Sequence, residues 1–275
     1  MSSSASPSSA KLIAHYRQIS QLPLTIVDVE TTGGSAQTSR IIEIAVLHAS
    51  LKDGILFQKT DLINPGVPIP PEITRFTGIT STMVQPAPST AEVLPHYWEP
   101  LSSHVLTAHN LTFDYGFLKA EYGRLGQVFE RPASQQLCTV KLARLMLADL
   151  PSRKLSDLVQ HFGFEVGRSH RAEADTLACW LLAQRLLSEL NSEDDETLVN
   201  RLGNQWLQLS EAATLMNRSA AEARKLLEAQ GARPRSSRYR SNPSYRRIDV
   251  ERICEANPQT ATSAGSTPKS PTPKA

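Results

Sequence analysis

One stretch, Leu24 to Gly34 (LTIVDVETTGG), constrains this chain more than any other. Its apolar start, Leu-Thr-Ile-Val, reads as a buried strand, and Asp28 and Glu30 follow before the sequence breaks into Thr31, Thr32, Gly33 and Gly34. Side chains alternate between the two faces of a strand, so residues i and i+2 point the same way. Asp28 and Glu30 therefore project together with Ile26, while Val27 and Val29 take the other face. Two carboxylates held that close repel each other. The pattern calls for something cationic between them.

Two further runs, RIIEIAVLHAS (40–50) and GILFQKTDLI (54–63), are rich in β-branched residues and separated by the turn-like LKDG. The three runs predict an antiparallel meander. A proline-rich connection (65–71) leads to RFTGIT (75–80) and a helix around 90–101; HVLTAHN (104–110) then reads as a fourth, buried strand. Helical patterns follow over 112–123, 138–149, 154–162 and 172–190. In the last, Ala174, Leu177, Ala178, Leu181 and Leu182 keep the spacing of a core-facing stripe. Strands first, then strands mixed with helices, make the fold α/β.

With 275 residues, 40% apolar and 20% charged, the chain has room for one large or two unequal domains. Charge is split along it. Residues 1–200 hold 16 Lys/Arg against 21 Asp/Glu, residues 201–275 hold 13 against 6, and the net charge is only +2. An acidic body therefore precedes a basic third, which suggests a module facing a polyanion. The expected organisation is a flexible segment (1–20), a main domain (21–190), an acidic linker (191–204), a small, mostly helical basic module (205–255) and a disordered tail (256–275) without aromatic or branched aliphatic residues. Cys138, Cys179 and Cys254 have no paired spacing and fit reduced thiols. No stretch approaches a signal peptide or a membrane span, so the expectation is a cytoplasmic protein with no membrane partner.

Taken singly, the other acids are ordinary. Asp114, in AHNLTFDYGFL, and Asp175, in SHRAEADTLACW, both fall in the first turn of a helix, where the dipole favours carboxylates. His170 stands in a loop five residues before Asp175. In order, however, Asp-x-Glu at a strand end, His-Asn-x-x-Phe-Asp after another strand and His-x-Ala-x-x-Asp entering a late helix form a constellation. It resembles the DEDDh branch of the DnaQ-like 3′–5′ exonucleases, the family of the proofreading epsilon subunit of bacterial DNA polymerase III. The matching residues are Asp28, Glu30, Asp114, His170 and Asp175, and VETTGG, RFTGIT and the segment from VKLARLM to GRSH agree over roughly residues 22–190. A close branch has tyrosine four residues before the last aspartate; Arg171 stands there in this chain, and His170 fills the histidine position. The resemblance implies a ribonuclease H-like mixed sheet flanked by helices. It also places the backbone of Thr31 and Thr32 against a 3′-terminal nucleotide, with Gly33 and Gly34 permitting the turn.

The chemistry calls for the same residue types. Mg²⁺ (or Mn²⁺) takes oxygen ligands, commonly one or two carboxylates together with substrate phosphate oxygens. Two such ions about 3.5–4 Å apart clamp the attacking and leaving oxygens of an in-line phosphoryl displacement. Asp28, Glu30, Asp114 and Asp175 supply four negative charges, which two divalent ions neutralise. His170 is the candidate general base, since an imidazole can take a proton from metal-bound water near neutral pH. Asn110 and Phe113 are candidate substrate-binding residues, although Phe113 serves equally well as core and Asn110 as a turn residue. Glu43 is a fifth acid near the metals, or else solvated or ion-paired. His48, His96, His104 and His161 lie in no motif and read as structural.

The C-terminal third has its own pattern. QWLQLSEAATLMNRSAAEARKLLEAQGARPR (205–235) predicts two short helices, capped by Ser210 and Ser219 and stopped by Gly231. YRSNPSYRRIDVERI (239–253) predicts a β-wing returning to a last helical turn, and the whole resembles the winged helix-turn-helix of MerR/excisionase-type proteins. Between Arg224 and Arg252 stand nine basic and three acidic residues, suited to nucleic-acid phosphates or to a replication or repair protein. The expected function is metal-dependent 3′–5′ exonuclease action on DNA, releasing nucleoside 5′-monophosphates. A ribonuclease of the same family and a non-catalytic nucleic-acid-binding module are the alternatives, since contacts to a 2′-OH cannot be placed from sequence.

Overall fold

The structure, a computed structural model, describes residues 8–167, 169–237 and 240–257. Residues 1–7 of the expected flexible segment, Arg168, Arg238, Tyr239 and the expected tail beyond Asn257 lie outside the described residues. The chain divides into two compact units, one spanning Pro7–Gln205 and the other beginning at Trp206.

In the larger unit the acid-bearing strand is β1 (Leu24–Thr31), followed by β2 (Ile41–Ser50) and β3 (Gly54–Leu62). These form the antiparallel meander, with Val27 opposite Val46 and Glu30 opposite Glu43. Two parallel strands, β4 (Val105–Ala108) and β5 (Gln136–Cys138), extend the sheet from the other edge of β1, giving the order β3-β2-β1-β4-β5. This is the mixed sheet expected.

Helices cover both faces: α1 (Ser9–Ser20), α2 (Pro71–Thr77), α3 (Ser81–Val84), α4 (Thr90–Val93), α5 (Trp98–Ser103), α6 (Leu111–Arg124), α7 (Thr139–Met146), α8 (Leu155–Phe162), α9 (Ala172–Ser192) and α10 (Asp195–Gly203). The helix expected around 90–101 is broken, because Pro95 starts a 3₁₀ turn, Leu94–Tyr97, between α4 and α5. Alternation along β1 sorts the core as predicted. Leu24 and Ile26 pack with Leu47 and Ala49 beneath α1, α7, α8, α9 and α10, whereas Val27 and Val29 pack with Ile44, Val46, Phe117 and Leu118. Asp28 and Glu30 continue the first face past the point where its apolar packing ends.

Helix α9 buries Ala174, Ala178 and Leu182 from the expected stripe, but also Cys179, Trp180, Ala183, Leu186, Leu187 and Leu190. Its burial is wider than one stripe because it lies between the sheet and the other helices of that face. Gly163, at φ +65°, ends α8 in the left-handed conformation and releases the chain toward His170.

Two expected boundaries are corrected. Residues 9–20 are not a flexible lead-in. They form α1, whose Ile13, Tyr16 and Ile19 join the core with α9, and Arg17 donates to Leu190 O (3.1 Å) and Glu193 O (2.8 Å) and also pairs with Asp195. Nor is 191–204 a linker. Asp194 caps α10 by accepting from Thr197 N–H at 2.9 Å, and Leu198 and Leu202 are buried in the same core. Among the described residues, no helix is long and apolar enough to cross a membrane.

The smaller unit starts with β6 (Trp206–Gln208), followed by α11 (Leu209–Leu215) and α12 (Ala220–Ala229). β7 (Arg235–Ser237), β8 (Arg240–Arg246) and α13 (Arg247–Ala256) complete it, with strand order β6-β8-β7. Leu207, Ala212, Leu227, Tyr245, Val250 and Ile253 form its core. Ser219 caps α12 as expected, exchanging bonds with Glu222, and Gly231 follows it at φ +78°. Ser210 does not cap α11. Gln208 stands at the N-cap, its N–H donating to Glu211 at 2.7 Å, so that Ser210 lies within the helix. The expected last helical turn is a full helix, α13.

Candidate active site

The cleft gathers residues from four elements. β1 carries Asp28 and Glu30, and just past them its register with β2 shifts, Glu30 lying opposite Glu43 and Thr31 opposite Ile41, so that Ile42 is the extra residue on β2. Asp114 comes from the first turn of α6, where its Oδ1 accepts the Val29 N–H at 3.2 Å. Asp175 comes from the first turn of α9. Carboxylate oxygens of Asp28, Glu30 and Asp175 all lie within 4.8 Å of one another. Asp114 stands outside that trio, drawn toward the strand by its bond to Val29, and lines the same cleft of about 420 Å³ with Ile73, Phe76, Thr77, His109 and His170.

Burial raises all four acids, and repulsion from neighbouring carboxylates adds to it. Desolvation is the largest cause for each, and it pushes Glu30 and Asp114 up to about 8. Asp28 is raised well above the carboxylate range by burial and then by Asp114, Asp175 and Glu30. Asp175 is raised by burial, against the pull of the His170 N–H. Four oxygen-donor acids with such a preference for protons fit hard divalent cations.

The sign gives a testable pH dependence. A carboxyl whose folded pKa exceeds its unfolded value destabilises the ionised protein, so this contribution to stability falls as pH rises from about 4.5 to about 8 for Glu30. Glu30→Gln removes it. Thermal unfolding in chelator should show the variant gaining on wild type between pH 5 and pH 8.5, by roughly 5 °C or more. A gain that shrinks with rising pH would contradict the charge assignment.

His170 occupies the left-handed region at φ +63°. Its N–H donates to Asp175 Oδ2 at 3.1 Å, and its ring lies against Phe76 with centroids 3.8 Å apart. Thr31 lines the cleft. Thr32 does not: its N–H donates to Arg40 O at 2.8 Å and its hydroxyl accepts the Arg40 N–H at 2.9 Å, tying it to the neighbouring strand. Neither Gly33 nor Gly34 has a left-handed φ; a Cβ on Gly33 would lie 2.8 Å from the Ser39 hydroxyl, which would have to rotate away, and one on Gly34 would meet nothing within 4 Å. Asn110, at φ +76°, both turns the chain into α6 and lines the cleft, and Phe113 does so while touching Phe117. Glu43 is ion-paired, with Arg171.

His109 lines the cleft as well, although it was not among the expected site residues. Its ring nitrogens contact Thr139 Oγ1 and Arg153 O, both at 2.9 Å, and burial lowers its pKa to about 4. A carbonyl only accepts, so Nε2 carries the proton and Nδ1 accepts from Thr139. The clue lay in AHN, directly before the Asp114 motif.

Four acids in one cleft at the end of a mixed α/β sheet define a nuclease-like class of site. The family model RNase_T, described as exonuclease, matches residues 25–182, more than half of the chain. The chain is 32% identical over 167 residues to DNA polymerase III subunit epsilon of Aquifex aeolicus, covering 60% of this chain and 80% of that one. It is 36% identical over 183 residues to the PolC-type DNA polymerase III of Clostridium perfringens, covering 66% of this chain but only 12% of that protein's length. Among solved structures, the nuclease domain of 3′hExo, a DEDDh family member bound to rAMP, shares the fold at TM-score 0.51 and 19% identity over 61% of this chain and 92% of that one. The zinc-bound exonuclease I–ssDNA complex of E. coli shares it at TM-score 0.54 and 18% identity, over 66% of this chain and 42% of that one. This chain belongs to the exonuclease family and carries its DnaQ-like nuclease domain.

Proposed function

We propose that the chain is a 3′–5′ exonuclease that uses Mg²⁺ or Mn²⁺ to hydrolyse phosphodiester bonds at the 3′ end of DNA, releasing nucleoside 5′-monophosphates. The observation that carries this reading is the convergence of Asp28, Glu30 and Asp175 within 4.8 Å, with Asp114 and His170 in the same cleft. Those four acids would hold the cations, which when bound would neutralise charge on the phosphodiester and acidify water. His170 swings off Phe76 and acts as the base, its imidazole taking a proton from the attacking water. Thr31, Asn110 and Phe113 bound the space for the terminal nucleotide. DNA is favoured over RNA because several relatives above 30% identity, an epsilon subunit among them, are DNA polymerase III proteins.

The test uses 5′-labelled single-stranded DNA, duplex DNA and RNA of one sequence, with 3′-labelled copies in parallel. A descending ladder from the 5′ label and immediate mononucleotide release from the 3′ label are expected on DNA. RNA cleaved faster than DNA would move the assignment to the exoribonuclease reading.

The smaller unit is proposed to hold nucleic acid for this chemistry. Lys225, Arg233 and Arg235 are exposed, and among the described residues they form no ion pair, whereas Arg224, Arg247 and Arg252 pair with Glu228, Glu251 and Asp249. Arg246 and Arg235 also lie over the Trp206 ring, at 4.4 and 5.5 Å. Changing Lys225, Arg233 and Arg235 to glutamine should leave the rate on saturating short oligonucleotides unchanged. It should flatten the plot of log affinity against log salt on duplex DNA by about 0.9 for each phosphate that the variant no longer neutralises. Fluorescence anisotropy across a salt series measures this. Equal slopes would direct the search to a replication or repair protein.

A further inference from the structure

Glu43 lies on β2 directly opposite Glu30, so its side chain leaves the sheet on the acids' face. It is only 1% exposed. Unpaired, a fifth carboxylate there would add its full charge to the repulsion in the cleft. Instead it is fully engaged: Arg171 Nε donates to both its oxygens at 3.1 Å, Arg171 Nη2 to Oε1 at 2.5 Å, and the Ala172 N–H to Oε2 at 2.9 Å.

Arg171 is the N-cap of α9, and its own side chain does not cap that helix. Glu43 therefore caps α9 from another element, accepting the N–H of its first residue and favouring its positive end. Two site residues depend on that helix start. His170 immediately precedes Arg171, and Asp175 stands one turn on, its N–H bonded to Arg171 O at 3.0 Å. The charges matter as well as the bonds. Glu43 raises the pKa values of Asp28, Glu30 and Asp175, while Arg171 lowers that of Glu30.

We infer that Glu43 and Arg171 are a positioning pair: Glu43 registers the start of α9 so that Asp175 and His170 meet Asp28 and Glu30, and it holds Arg171 away from those acids so that the cation site stays open. The inference rests on the metal-dependent reading above. Without the Glu43 charge, the Arg171 guanidinium loses its partner, and the anions left acting on it are Glu173 and the site acid Glu30. It then competes with the divalent ion as an internal cation. Removing both charges removes that competitor.

The test is calorimetric Mn²⁺ titration of the full chain at pH 8, with DNA-cleavage kinetics alongside. Glu43→Gln should bind Mn²⁺ about 10–100-fold more weakly, the usual effect of losing a partner behind the ligands. Its kcat should fall with little change in KM. The double variant Glu43→Gln/Arg171→Gln should recover most of the Mn²⁺ affinity. A pair that served only packing would leave the double variant no better than Glu43→Gln, and that result, or unchanged affinity in Glu43→Gln, overturns the inference. Arg171→Lys keeps the charge balance but loses the forked bond, so it should lower kcat several-fold at near-normal Mn²⁺ affinity; an unchanged kcat would remove the registering role. Asp28→Asn is the control for the underlying reading. If it binds Mn²⁺ like wild type, the metal assignment itself fails, whatever Glu43 does.

Discussion

Asparagine in place of Asp28 or Asp175 should reduce cleavage below detection while leaving the metal-free fold as stable as wild type or more so. The two effects have one cause. In the trio of Asp28, Glu30 and Asp175, one carboxylate oxygen of each lies within 4.8 Å of those of the others, and burial raises the pKa of every member. Neutralising one member relieves repulsion that the folded chain otherwise sustains, and it also takes away a charge needed to hold a divalent cation. Each substitution nearly preserves shape, so packing loss is minimal. Thermal unfolding in chelator and a cleavage time course in Mg²⁺ measure the two effects together. Full activity in either variant, or a large loss of metal-free stability, would contradict this view of the acids.

His170→Ala should slow cleavage by roughly 10²–10⁴-fold, the usual size of general-base catalysis. Mn²⁺ affinity should barely change, because the His170 ring rests on Phe76 and only its backbone N–H touches an acid, Asp175. The loss of rate should be greatest near neutral pH and shrink as hydroxide takes over the base's role. Calorimetric titration and a pH–rate profile of wild type and variant separate the two roles. A large fall in metal affinity would make His170 a ligand instead.

Asp28 and Glu30 were legible because a strand's period of two is short-range: Ile26 on their face and Val27 and Val29 on the other decide the geometry within six residues. Asp114, His170 and Asp175 were legible through spaced motifs. Glu43 was not, because its meaning depends on the register that sets it opposite Glu30 and on Arg171, 128 residues away. Helix α1 escaped notice for a similar reason. Ile13, Tyr16 and Ile19 make a sparse stripe among polar residues, and only packing with α9 and α10 gives it something to cover. NSEDDET reads as a hinge by composition, yet Asp194 within it is a helix cap, which charge counting does not distinguish from a solvated run. Strand β5 is three residues long and carries no periodic signal. Thr32 looked like Thr31 in sequence, and its two bonds to Arg40 depend on a partner eight residues on.

Anomalous diffraction from crystals soaked in Mn²⁺ and a nucleoside 5′-monophosphate tests most directly whether these acids form a cation site for phosphodiester hydrolysis. Two manganese peaks are expected, bounded by carboxylate oxygens of Asp28, Glu30, Asp114 and Asp175, with the nucleotide phosphate against them and its base toward Phe113. Manganese absent from this cleft while the phosphate binds elsewhere on the chain would contradict the assignment.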